Sequence, residues 1–194
     1  MKMNYDTFWK IVECVQPLNK QVNHLKQSGR LVTEFLILTL QQYSEEEIID
    51  YERIFNEMKT IIWTRSTRQV GELLFAGLSG DGFEWLCARL IYQGKQEYEN
   101  YLENPDNLAD YLAQNPEVYM LDGEGFDDLA DRAFIAKRDS NGQPIDYEKI
   151  PSQIHWLNFE DDFDFYEQYE RQELLEKFPK LWKIYGWEEG EFDD

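Results

Sequence analysis

Residues 44–62 read SEEEIIDYERIFNEMKTII, and this stretch decides the fold. Ser44 followed three positions later by Glu47 is a capping box: the serine hydroxyl takes a free N–H of the first helical turn and the glutamate reaches back to the serine. Behind it Ile48, Ile49, Tyr51, Ile54, Phe55, Met58, Ile61 and Ile62 recur at helical spacing, which predicts one long amphipathic helix. The same grammar extends towards the N-terminus. Asp6 is expected to cap a helix through Val15, with Phe8, Trp9, Ile11, Val12 and Val15 on its apolar face and Pro17 as its stop. A second helix is predicted over residues 18–27, ending at Ser28-Gly29. The next, over residues 31–43, is apolar on most faces and is expected to be central.

Towards the C-terminus the pattern predicts a helix over residues 67–76 with Gly77 as its left-handed terminator. The segment LSGDGFEWLCARLIYQG (78–94) then supplies a Ser/Asp cap, with Asp81 expected to serve, an apolar helix over 83–93, and Gly94 as its stop. Shorter helices fit residues 96–103 and 106–114, the second entered through Asn104-Pro105. Phe126, Leu129, Ala130, Ala133 and Phe134 mark another helix from Glu124 to the turn-rich DSNGQP at 139–144. Residues 139–157 are the least helical part. An acidic, aromatic helix follows over 160–177, and Pro179 sets off the segment containing Leu181, Trp182, Ile184 and Tyr185. Strand signals are almost absent and no repeat is visible. The expectation is an all-α chain, a single compact multi-helix domain of about eight helices with an acidic C-terminal half.

At 194 residues, 42% hydrophobic and 15% aromatic, the chain has ample material for a core. The longest apolar run, Phe35 to Leu38, is far short of the roughly 20 residues a membrane helix needs. The N-terminal MKMNYDTFWK has no apolar signal region. No membrane association is therefore expected, and the localisation expected is cytoplasmic. Cys14 and Cys87 lie in apolar helical patterns and read as buried small hydrophobes of a reducing compartment.

Charge is the strongest compositional signal. Residues 1–96 hold 12 acids and 11 bases, whereas residues 97–194 hold 27 acids and 8 bases, so nearly all of the net −20 sits in the second half. Such a field repels phosphate backbones, which argues against direct nucleic-acid binding, and it attracts basic protein surfaces.

Two acidic patches are candidate partner-binding surfaces. In the first, Asp122 stands beside Glu124, Asp127, Asp128 and Asp131, the last four being spaced to share one face of the expected helix. That face suits a basic partner or a divalent cation, although carboxylates repelling one another on a solvated surface are the commoner case. In the second, NFEDDFDFYEQYE (158–170), Glu160, Asp161, Asp162 and Asp164 alternate with Phe163 and Tyr166. Acids that steer and aromatics that anchor suit a basic groove, and the ordinary alternative is an amphipathic helix whose aromatics fill the core. Catalytic signatures are weak. The only histidines, His24 and His155, fall in no triad-like setting, no phosphate-binding glycine loop occurs, and the stretch opening at Asp139 has Pro144 where a calcium loop needs glycine and Ile150 where it needs glutamate. No catalytic residue, resident metal or cofactor is expected.

The chain resembles an uncharacterised bacterial family, domain of unknown function 4240. Phe8-Trp9 matches its FW helix, and residues 79–94, from Ser79-Gly80-Asp81-Gly82-Phe83 to Leu90-Ile91-Tyr92-Gln93-Gly94, resemble its central S-D-D-G-F…L-I-x-Q-G block. The likeness continues through Tyr98, Asn104-Pro105-Asp106, the Phe126 to Phe134 helix and Phe178-Pro179-Lys180-Leu181-Trp182. The chain departs from the family where Cys87 and Arg89 replace an arginine and a tryptophan, and where Arg65-Ser66-Thr67-Arg68 replaces a tryptophan-rich stretch. The resemblance implies a helical fold and no particular reaction. The function expected from the residues is an acidic protein-binding module, an immunity protein or antitoxin-like inhibitor that masks a basic surface of a bacterial toxin. The alternatives are a small enzyme built around Asp81 and Arg89, or a DNA-mimic regulator.

Overall fold

The architecture follows from where the helix caps fall. The structure, a computed structural model, describes residues 2–16, 28–116, 123, 125–144 and 168–186. These contain ten α-helices, one 3₁₀ turn and no strand, so the all-α expectation holds with slightly more helices than foreseen.

The long helix α3 (Glu45–Ile62) stands at the centre. The Ser44 hydroxyl accepts the Glu47 N–H at 3.3 Å and Glu47 Oε2 accepts the Ser44 N–H at 2.9 Å, which is the foreseen capping box. The helix buries Ile48, Tyr51, Ile54, Phe55, Met58 and Ile62. Helix α1 (Tyr5–Glu13) packs on it through Phe8, whose ring centroid lies 5.0 Å from that of Tyr51. The Tyr51 and Tyr92 hydroxyls meet at 2.5 Å, and Tyr92 stacks on Phe126 at 4.1 Å. This aromatic column joins four parts of the chain around one core.

Several boundaries differ from expectation for local reasons. Asn4, not Asp6, caps α1, accepting the Thr7 N–H at 2.9 Å, and Asp6 falls in the first turn, where the helix dipole favours an acid. Helix α2 (Ser28–Leu40) buries Val32, Leu36, Ile37 and Leu40 against its neighbours but leaves Leu31, Phe35 and Leu38 exposed, so it is not enclosed on all sides. Helix α4 (Arg65–Phe75) ends with Ala76 itself in the left-handed region at φ 50°, one residue before the expected Gly77. Helix α5 (Gly80–Ile91) is capped by Ser79, which accepts the Gly82 N–H at 3.0 Å; Asp81 is exposed in its first turn and is not the cap. Cys87 is buried as expected, whereas Cys14, at the end of α1, is exposed.

Helix α6 (Lys95–Glu103) leads through the 3₁₀ turn Pro105–Asn107 into α7 (Leu108–Gln114). Helix α8 (Leu129–Ser140) begins five residues later than expected. Gly125 has φ 82°, and the Phe126 N–H closes a turn onto Gly123 O at 3.1 Å, so Asp127 and Asp128 belong to a lead-in turn and not to a helix face. Near the C-terminus Glu170 is extended and caps α9 (Arg171–Lys177), so the helix expected over 160–177 does not run unbroken through residues 168–170. Helix α10 (Pro179–Tyr185) packs against α4, α7 and α9, and the buried Asp106 carboxylate accepts the N–H groups of Lys180 and Leu181 at its start. The helix expected over residues 18–27 lies outside the described residues. Among the described residues no helix is long and apolar enough to cross a membrane.

Candidate functional site

Three polar side chains on α3 break the rule that its inner face is apolar. Glu52, Asn56 and Lys59 follow one another at helical spacing and are 4%, 7% and 8% exposed. Buried polar groups need partners, and these have them. Asn56 Nδ2 donates to Glu52 Oε1 at 2.9 Å. Lys59 Nζ donates to Asp127 Oδ1 at 3.0 Å and lies 4.0 Å from Glu84 Oε2 on α5, with the Phe55 ring 5.6 Å away. The cluster grades from solvent to core: Glu84 and Asp127 are partly exposed at its mouth, Lys59 lies beneath them, and Glu52 is deepest.

The electrostatics show more acid than the single ammonium can balance. Burial pushes the Glu52 carboxyl up to about 8, against the hydrogen bond from Asn56, and Asp131 on α8 adds to the rise. Burial also raises Asp127, outweighing the ammonium beside it. Glu84 is raised by burial and by the charges of Asp127 and Asp81, with Lys59 opposing. Burial lowers Lys59, but Asp127, Glu84 and Glu52 together outweigh that and raise it. At neutral pH the site therefore combines a protonated Glu52, an ammonium and acidic groups at the mouth, an arrangement that welcomes a cation and repels a phosphate. Among the described residues no three His, Cys, Asp or Glu side chains converge as metal ligands.

The sequence-derived candidates divide sharply. Asp127 turns inward to Lys59, and Asp128 stands 3.7 Å from Arg132 Nη1. Asp131 is half-buried and acts electrostatically on Glu52. These three do not form the single exposed helical face that their spacing suggested, because the helix starts after Asp128. Asp122, Glu124, Glu160, Asp161, Asp162, Phe163, Asp164 and Tyr166 lie outside the described residues. Asp81 and Arg89 do not share a site: eight residues of one helix separate them by about 12 Å of rise. Asp81 is exposed and bears on Glu84, whereas Arg89 is 2% exposed and bears on Tyr111.

Glu52, Asn56 and Lys59 were not singled out from the sequence. The available signal was positional, since Glu52 and Lys59 fall on the same helical stripe as Ile48 and Phe55.

A family model described as "Protein of unknown function (DUF4240)" matches residues 3–136, which include α1 to α7, the first part of α8 and the whole Glu52, Asn56, Lys59, Glu84 and Asp127 cluster. Helices α9 and α10 lie beyond the match. No curated protein and no solved structure is significantly similar to the chain. With the match spanning well over half of its residues, the chain belongs to the DUF4240 family.

Proposed function

We propose that the chain is an acidic protein-binding module, an immunity or antitoxin-like inhibitor that masks a basic surface of a bacterial toxin. The observation that carries this reading is the excess of acid in residues 97–194, four of whose eight cations are engaged internally. Arg138 holds Glu45 through two bonds of 3.1 and 2.7 Å, and Arg132 Nη2 lies 3.6 Å from Glu34, so both turn towards acids of the near-neutral half. Lys180 Nζ donates to Asp110 at 2.6 Å and Lys137 Nζ donates to Gln41 O at 2.8 Å. The 8 bases of residues 97–194 fall far short of the 27 acids there, and exposed Glu103, Asp139, Glu170 and Glu176 contribute to the outward field. A field of this sign speeds encounter with a cationic surface.

The inhibitor reading makes a cellular prediction. Expressed alone, the basic partner should arrest growth of its native host, and co-expression of this chain should restore it. Failure of co-expression to restore growth, although the two proteins form a complex, would leave a binding protein and remove the inhibitor role.

A further inference from the structure

Helix α2 carries apolar side chains on two opposite sides. Val32, Leu36, Ile37 and Leu40 face the core and are at most 7% exposed. Leu31, Phe35 and Leu38, spaced to form one stripe on the far side, are 46%, 45% and 59% exposed. Scattered surface hydrophobes need no explanation, but a continuous stripe opposite the buried face marks a contact surface.

The charge around the stripe selects its occupant. Arg30 lies 3.9 Å from Glu34, Arg132 lies 3.6 Å from Glu34 and 3.7 Å from Asp128, so two cations and two carboxylates satisfy one another beside it. On the adjoining α8 Arg138 pairs with Glu45, and Lys137 donates to the Gln41 carbonyl oxygen. Residues 1–96, to which α2 belongs, hold 12 acids and 11 bases. A basic partner drawn by the acidic half finds no excess of negative charge here. A second copy of the same chain meets an apolar surface like its own, beside which the described charges of Arg30, Glu34, Arg132 and Asp128 offset one another.

We infer that the Leu31, Phe35 and Leu38 stripe of α2 is a homodimer interface, in which two copies pair across a two-fold axis. With α2 antiparallel to its mate and the axis near Phe35, Leu31 of one copy lies beside the partner's Leu38. The contact is independent of the proposed toxin partner and responds to salt in the opposite way. Salt screens the steered encounter of acidic and basic proteins, while an apolar contact persists or tightens in sulfate.

Sedimentation equilibrium of the full chain tests the inference. The unaltered chain should sediment as a dimer at low and high salt. Leu38→Glu should weaken the dimer by about 100-fold or more, since two copies of the side chain leave the contact together. Its circular dichroism should stay unchanged, because Leu38 is already exposed, and its melting temperature should fall only by what dimerisation contributes and should lose its dependence on concentration. Leu102→Glu, at an exposed apolar position on α6, should leave the dimer intact. Leu38→Gln provides the same test without a new charge, should the glutamate disturb folding. A chain that is monomeric at roughly 100 μM, where even a weak specific dimer would form, overturns the inference. So does a dimer that survives both Leu38 variants.

Discussion

Lys59 and Asp127 stand 68 positions apart, and Lys59 Nζ donates to Asp127 Oδ1 at 3.0 Å. The pair fastens the middle of the molecule to the turn that precedes α8. With the lysine side chain 10% exposed and that of the aspartate 27%, removing one partner leaves a charge poorly solvated. Asp127→Ala should therefore cost about 2–3 kcal/mol in urea unfolding. Adding Lys59→Met to that variant should recover part of the loss, because no orphaned ammonium remains. An additive double mutant would show that the two residues act separately.

Glu52 gives the fold a particular pH dependence. Its carboxyl is raised to about 8 in the folded chain and titrates near 4.5 when unfolded. The folded state therefore binds the extra proton between these values, so stability falls as pH rises from about 4.5 to 8 and levels off above. Glu52→Gln keeps an acceptor for Asn56 and cannot ionise. It should be more stable than the unaltered chain at pH 8, by on the order of 3 kcal/mol, and should match it near pH 4.5. Parallel stability profiles across this range would refute the assignment of the pH dependence to Glu52.

The cap of α5 separates two neighbouring residues. Ser79 accepts the Gly82 N–H, so Ser79→Ala should cost about 1 kcal/mol. Asp81 is exposed in the first turn and interacts with the helix dipole, so Asp81→Ala should cost only a few tenths of a kcal/mol. Thermal unfolding of the two variants should rank them in that order; the reverse order would return the capping role to Asp81.

Asp106, only 1% exposed, accepts backbone N–H groups from Lys180 and Leu181 and so holds the start of α10. Asp106→Ala leaves those donors without their acceptor and should cost roughly 2 kcal/mol, whereas Asp106→Asn, which keeps one oxygen, should cost less. Trypsin should cut at Lys177 and Lys183 sooner in the alanine variant. Unchanged cutting there would mean that packing of Phe178 and Leu181 is enough to hold the helix down.

What could be read from the sequence was local. The Ser44 capping box and the spacing behind it lie within one stretch and define α3 without reference to the rest of the chain. The start of α8 is not legible in the sequence, because the apolar spacing from Phe126 onward is helical although the backbone before Leu129 is not. Gly123 lies so close to α5 that a Cβ there would come within 2.1 Å of the Trp85 carbonyl oxygen, a constraint set by tertiary packing. The candidate site was hidden for the same reason. Glu52 and Lys59 look like ordinary polar residues of an amphipathic helix until α5 and the turn at Asp127 close over them. The exposed side of α2 was likewise invisible, since an apolar helix reads the same whether its outer face is covered by its own chain or by another.

Electrostatic recognition is tested most directly by the association rate of the chain with a partner purified from the native host. Measured by stopped flow across a salt series, the rate should fall steeply with ionic strength, as fields screened over about 8 Å at physiological salt require, while dissociation changes much less. Charge reversal of Asp161, Asp162 and Asp164 should slow association further at low salt. A partner whose association rate is indifferent both to salt and to these reversals would contradict the account.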